Sequence, residues 1–77
     1  MMSDYALFTE KEAAILRYLD STGNRLVSPT EIGMIVGQKR KGAASSWACP
    51  VLIRLTKQQI LERDFKGKYR HRFLEEE

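Results

Sequence analysis

A change of hydrophobic period at Ile60 constrains this chain more than any other feature. Before it, Ala48, Val51, Leu52 and Leu55 recur at the i, i+3, i+4, i+7 spacing that lines one face of a helix. After it, residues 60–64 and 68–73 read as two extended runs interrupted by Gly67. The pattern predicts a helix, buried on one side, that feeds directly into a β-hairpin. Ser45-Ser46 supplies a cap signal for that helix. Pro50, which has no N–H and is tolerated in a first turn, sets its start at about residue 46 or later.

Turn chemistry and charge together predict the register of the hairpin. A three-residue loop, Phe65-Lys66-Gly67, puts Gly67 at the left-handed position that ends a type I turn with a bulge. It also sets Asp64 opposite Lys68 and Glu62 opposite Arg70, cross-strand pairs worth roughly 0.2–1 kcal/mol each. A two-residue loop at Lys66-Gly67 would set Arg63 against Arg70, so the longer loop is preferred. Its polar face is Glu62, Asp64, Lys68, Arg70 and Arg72. Its inner face is Leu61, Arg63, Tyr69, His71 and Phe73, and Phe65 and Lys66 stand at the tip.

The preceding chain predicts two further helices. Tyr5, Leu7 and Phe8 are apolar enough to pack on the body or on a second copy of the chain. Thr9-Glu10-Lys11-Glu12 is a capping box, in which hydroxyl and carboxylate satisfy each other's exposed amides. The first helix starts there, carries Ala13, Ile15, Leu16 and Leu19 as its apolar stripe, and ends at about residue 22 with Gly23 as a left-handed cap. After a turn at Gly23-Asn24, Leu26-Val27 is a minimal strand. Ser28-Pro29-Thr30-Glu31 is a second capping box with Pro29 at the first helical position, where its missing N–H costs nothing. The second helix spans residues 29–36, with Ile32, Ile35 and Val36 inward, Val27 and Ile32 at staple positions, and Gly37 closing it.

Residues 38–44 connect the second helix to the third and contain Lys39-Arg40-Lys41-Gly42. Three adjacent cations beside a helix N-terminus make a candidate phosphate site, because free amides and the helix dipole add to the side-chain charge. The alternative is a solvated loop. The wider charge balance bears on that choice. Residues 1–36 hold three Lys or Arg against five Asp or Glu, a balance of −2, whereas residues 37–74 hold ten against two, a balance of +8. Such asymmetry argues for a polyanionic partner, although surface lysines also serve solubility alone.

Size and cysteine usage bound the rest. Seventy-seven residues make one domain over 1–77, with a core over 9–74 and a frayed acidic tail at 75–77. At that length only about 60% of the unfolded surface is buried, so the core is small. The single Cys49 has no disulfide or metal-ligand partner, reads as a small buried hydrophobe, and suits a reducing compartment. The start MMSDYALF has no basic region followed by an apolar run, and no apolar stretch nears the roughly 18 residues of a membrane span. The cytoplasm is the expected location, without membrane attachment. His71 reads as a packed ring. No second His and no acid stand at catalytic spacing, Gly37 and Gly42 make no phosphate-loop pattern, and no metal or cofactor set is present, so an enzyme is not expected.

Helix, short strand, helix, turn, helix and hairpin is the element order of the winged helix-turn-helix domain, an α+β fold of three helices with a C-terminal β-hairpin wing. The run IRLTKQQILER resembles the end of the recognition helix and the start of the wing in MarR-type regulators. Leu55 stands at the buried leucine, Gln59 where glycine is common, Ile60 and Leu61 at the first wing strand, and Glu62-Arg63 at the frequent Glu-Arg. PTEIGMIVG is similar to the first helix of the motif, with Ile32 as its core residue. The likeness covers about residues 9–74 through loose motifs. The chain departs from the family in having no flanking dimer helices, which leaves a homodimer open, and in its longer, Lys-Arg-Lys turn.

The resemblance implies double-stranded DNA binding in transcription regulation or as an accessory factor, with the third helix in the major groove and the wing at the minor groove or backbone. Carried onto this sequence, Lys39, Arg40 and Lys41 would hold phosphates, and Ser45, Ser46, Trp47, Pro50, Arg54 and Lys57 would form the outward side of the third helix. Arg54 suits bidentate contact with guanine, Ser46 and Lys57 suit phosphate, and Lys66, Lys68 and Arg70 would act from the wing. Trp47, Pro50 and Ile53 also form an apolar patch that fits a protein partner, unless Trp47 folds back as core.

Overall fold

In a computed structural model of the protein, residues 8–23 and 25–72 are described. They form α1 (Glu10–Ser21), α2 (Pro29–Ile35), α3 (Lys41–Lys57), β1 (Leu61–Arg63) and β2 (Tyr69–His71), an α+β arrangement of three helices and a two-stranded antiparallel hairpin. Expectations placed on Tyr5, Leu7, Asn24, Phe73 and residues 75–77 lie outside the described residues.

Local chemistry starts α1 where the sequence predicts. Thr9 Oγ1 accepts the Glu12 N–H at 3.1 Å, and Glu12 Oε1 accepts the Thr9 N–H at 3.0 Å. The helix buries Ala13, Ile15, Leu16 and Leu19, and the chain turns away through Gly23 at φ +73°. At α2 the second box closes on one side only. Ser28 Oγ accepts the Glu31 N–H at 3.1 Å, but the Glu31 carboxylate faces away, taking the Tyr18 hydroxyl at 2.5 Å and Arg25 Nη2 at 2.8 Å.

Three expectations for α2 are corrected. Ile32 and Gly33 are buried and Val36 packs against the core as expected, but Ile35 is 53% exposed, because a seven-residue helix presents little more than one buried turn. The helix ends one residue earlier than predicted, at Ile35, with Val36 as its cap. The left-handed residue that stops it is Gln38 at φ 53°, not Gly37. Gly37 serves packing instead: a Cβ there would lie 2.7 Å from the Trp47 ring. Gly33 does the same against backbone, since its Cβ would lie 2.0 Å from the Ala44 carbonyl oxygen. These two glycines let α2 lie flush on α3.

The start of α3 also differs from prediction. It begins at Lys41 with Arg40 as its N-cap, and Pro50 lies inside it. Pro50 and Ser46 are both exposed, so the carbonyl that loses the Pro50 N–H faces solvent rather than the core. A solvent-side proline is thus compatible with a helix whose opposite face, Ala44, Ala48, Val51, Leu52 and Leu55, is buried.

The hairpin has the predicted register: Glu62 pairs with Arg70 and Arg63 with Tyr69, while Asp64 N–H donates to Lys68 O at 2.9 Å. Gly67 has φ +83°. Arg63 is exposed, not inward, because β1 is the outer strand and nothing beyond Leu61 packs on that end. Val27 forms a single antiparallel bridge to Tyr69 (2.7 and 2.8 Å), so the predicted Leu26-Val27 strand reduces to one residue pair that ties the helical half to the hairpin. The core joins Ile15, Leu16, Leu19, Val27, Ile32, Leu52, Leu55, Leu61 and Tyr69. Burying each large apolar side chain contributes about 1.5–3 kcal/mol. Among the described residues no helix is long and apolar enough to cross a membrane.

Candidate nucleic-acid interface

The face of α3 opposite its buried side carries Ala43, Ser46, Pro50, Ile53 and Lys57, at spacings of three and four, and Lys41, Gly42 and Arg54 are exposed as well. This is the face left over once the opposite side packs on α1, α2 and the hairpin. It carries one hydroxyl, one ammonium and otherwise apolar surface. Ser46 Oγ donates to Ala43 O at 3.1 Å, which spends its proton inside the helix and leaves its lone pairs outward. Ile53 is 47% exposed.

Two residues expected on that face are engaged within the fold. The Arg54 guanidinium pairs with Glu12 on α1, its Nε at 3.0 Å from Oε2 and its Nη2 on the same oxygen. The Thr9 amide and then the Arg54 guanidinium hold the Glu12 carboxyl below the usual carboxylate range. Arg54 is therefore a clasp between α1 and α3, and a guanine contact would first have to strip a buried carboxylate of its cation. Trp47 is half-buried against the core, faces Gly37, and is covered by Lys11, whose Nζ lies 4.2 Å from the ring centroid. It has folded back as core, and the exposed apolar patch reduces to Pro50 and Ile53.

At the other end of the helix, Lys39, Arg40 and Lys41 are all exposed. Lys39 N–H donates to Gly33 O at 3.1 Å, which ties the turn to α2 and fixes its path. The N-cap Arg40 offers no side-chain acceptor, and the first turn of α3 holds no acid. A helix N-terminus favours anions, so three cations there run against the local preference.

Among the hairpin residues, Lys66 and Lys68 are exposed, while Arg70 is half-buried with its Nε on Glu62. The Arg70 charge is thus largely matched. Asp64 is matched differently: its Oδ1 accepts the Lys66 and Lys68 N–H groups at 3.0 and 2.8 Å, the Lys68 amide being the main cause that holds its carboxyl low. Arg63, missed as a site residue, adds an exposed cation beside the tip. The signal for it was available, since an inner position next to a hairpin tip has little body to pack on.

Charge is unevenly distributed along the chain. No Asp or Glu occurs from residue 32 to residue 61, and both hairpin acids are engaged internally. Among the described residues no ion pair holds Lys39, Arg40, Lys41, Lys57, Arg63, Lys66 or Lys68. Lys68 does lie near enough to Glu31 to help lower that carboxyl, after Arg25 and Tyr18. His71 Nδ1 meets Asp20 Oδ1 at 2.5 Å and Cys49 is half-buried rather than fully inside. Among the described residues no group of three or more His, Cys, Asp or Glu is placed to hold a metal ion. No protein-family model matches the chain, and no curated protein or solved structure matches it either.

Proposed function

We propose that the chain is a winged helix-turn-helix domain that binds double-stranded DNA, as a small transcriptional regulator or an accessory DNA-binding factor and not as an enzyme. In this reading α2 and α3 are the helix-turn-helix pair, Val27 is the first strand and the β1–β2 hairpin is the wing. Gln59 supports the fold assignment: it takes φ 65°, the left-handed conformation, where the resembling family commonly carries glycine. The observation that carries the function is the set of seven cations without ion-pair partners, spread over the α2–α3 turn, the end of α3 and the hairpin, with no acid between residues 32 and 61.

The same surface suggests how binding is divided. Phosphate contacts position a protein on DNA and base contacts specify sequence. The exposed stripe of α3 offers few hydrogen-bond donors, whereas Ala43 and Ile53 suit thymine methyl groups. Affinity is therefore electrostatic, and direct readout is weak. Titrating a labelled duplex at several salt concentrations tests this. With up to seven contacts the slope of log K against log salt is expected to reach roughly −6, and replacing Lys39, Arg40 and Lys41 by Ala should flatten it by roughly 2.7. Absence of binding to any duplex at low salt, or a slope near zero, rules the reading out.

A protein-binding reading rests on exposed Met34, Ile35 and Ile53. It lacks Trp47, its expected anchor, which is engaged with Lys11 and Gly37.

A further inference from the structure

We propose that the hairpin tip is an apolar wedge: Phe65 inserts from the minor groove between two stacked base pairs while Lys66 and Lys68 hold the flanking phosphates, so that binding kinks the duplex. This rests on the duplex-binding reading above and adds a deformation to it. Phe65 is 92% exposed. Every other described aromatic residue, Phe8, Tyr18, Trp47 and Tyr69, packs against the core. Folding gives Phe65 nothing to do.

The tip that carries it is built rather than loose. Gly67 N–H donates to Asp64 O at 3.1 Å, Gly67 takes φ +83°, and Asp64 Oδ1 accepts the Lys66 and Lys68 amides at 3.0 and 2.8 Å. With the Asp64 N–H donating to Lys68 O, four hydrogen bonds converge on one residue and fix the turn from which the ring projects. They also engage the Asp64 carboxylate with backbone, which leaves the outer surface of the tip to the Lys66 and Lys68 ammonium groups, the neighbouring Arg63 guanidinium and a phenyl ring. Lys66 Nζ lies 5.7 Å from that ring's centroid. An aromatic ring flanked by cations and presented without an unengaged acid matches a nucleic acid, whose bases offer π-faces and whose backbone offers anions. A lipid surface fits less well, because the neighbours Lys66, Gly67 and Lys68 add no second apolar side chain to bury.

The hairpin projects the ring away from the core: from Leu61 to Phe65 the chain extends at most about 13 Å at roughly 3.3 Å per residue, the same order as the step between grooves. Half a turn of duplex, the step from a major groove to the adjacent minor groove, is about 17 Å. The minor groove is about 6 Å wide, which admits a ring and excludes a helix. Pyrimidine–purine steps unstack most easily, so the expected target is a duplex with a TA or CA/TG step under the tip.

The test uses the full chain and a duplex of about two helical turns, with fluorophores at both ends and 2-aminopurine beside a central TA step. Wild type is expected to raise 2-aminopurine fluorescence and shorten the end-to-end distance. Phe65→Ala should lose both signals, bind roughly tenfold to a hundredfold more weakly, and keep the salt slope, because the lysines remain. Phe65→Leu should retain part of the bend. Both variants should melt like wild type, since the ring is outside the core. Salt-dependent binding by wild type with neither signal overturns the wedge and leaves duplex binding intact, and so do equal signals from wild type and Phe65→Ala. Failure of wild type to bind any duplex at low salt overturns both proposals. Sedimentation of wild type, but not Phe65→Ala, with anionic vesicles while both DNA signals stay flat would assign the tip to lipid and overturn the wedge.

Discussion

Gly33→Ala probes the seam on which the candidate interface depends. In an exposed helix interior this change stabilises by about 0.8–1.0 kcal/mol, because alanine loses less backbone freedom on folding. Here the new Cβ would sit 2.0 Å from the Ala44 carbonyl oxygen and 2.5 Å from its carbon. Ordinary contact begins near 3.4 Å, so the α2–α3 seam must open by about 1.4 Å. The obstacle is backbone of a 17-residue helix and cannot rotate aside. Overpacking costs about 1–3 kcal/mol, and a rigid neighbour places this case near the upper end. Set against the propensity gain, the net loss is about 2 kcal/mol, a drop in Tm of roughly 8–16 °C for a domain of this size. Thermal unfolding followed by far-UV circular dichroism reads it directly. Gly42→Ala is the internal control for the clash, since nothing lies within 4 Å of its Cβ, and in the first turn of α3 it should leave Tm unchanged or slightly raised. A Gly33→Ala variant as stable as wild type, or more so, would refute the flush contact and with it the placement of the basic turn beside α2.

Acid should destabilise the fold through Glu12 and Glu31, both held below their ordinary value of 4.5 in the folded state. Their contribution is complete above that value and is lost as pH falls through the folded values, so Tm should be flat from neutral pH to about 5 and then decline. Glu12→Gln keeps a side chain able to cap Thr9 and should flatten part of that decline. Its cost at neutral pH should stay below about 1 kcal/mol, because the Arg54 side chain is 51% exposed and the pair is screened. Trp47→Ala should cost about 2 kcal/mol by removing a half-buried ring from between Gly37 and Lys11. Urea titration checks this, and an unchanged midpoint would return Trp47 to the surface.

What the sequence made legible was chemistry confined to a few neighbouring residues. The Thr9–Glu12 box, the Ser28 cap with Pro29 behind it, and the Asp64 to Lys68 turn each depend on partners at most four positions apart, and each folds as read. Misreadings arose where a distant element decides the outcome. Arg54 looked outward by helical phase, yet its partner Glu12 lies 42 positions away. Gly37 looked like a helix stop, but the Trp47 ring is what requires its missing side chain. Pro50 looked like a first-turn residue because burial of the opposite face, which permits it mid-helix, is a tertiary fact. For the candidate site, the cations were all visible in the sequence. The match of Arg70 to Glu62 followed from the hairpin register, but that of Arg54 did not, and only pairing across the fold separates Arg54 from Lys39, Arg40, Lys41 and Lys57.

That separation gives the basic turn a sign that a structural role would not have. A cation in the first turn of a helix opposes the dipole by about 0.3–1 kcal/mol. Lys41 lies in that turn, with Arg40 at the N-cap and Lys39 just before it, so the three together cost about 1 kcal/mol, before their mutual repulsion. A domain of 77 residues has only about 4–12 kcal/mol in total. Nothing in the fold offsets this, since Arg40 caps no amide and no acid stands in the first turn of α3. If Lys39, Arg40 and Lys41 are there for phosphate, replacing all three by Ala should weaken duplex binding and raise Tm at low salt together, the trade expected where a site is kept against stability. The rise should shrink as salt screens the dipole, in parallel with the loss of affinity in wild type. A three-alanine variant that melts lower than wild type would mean that the turn is held by interactions of these side chains within the fold. The cations would then be structural, and the case for their gripping DNA would fail.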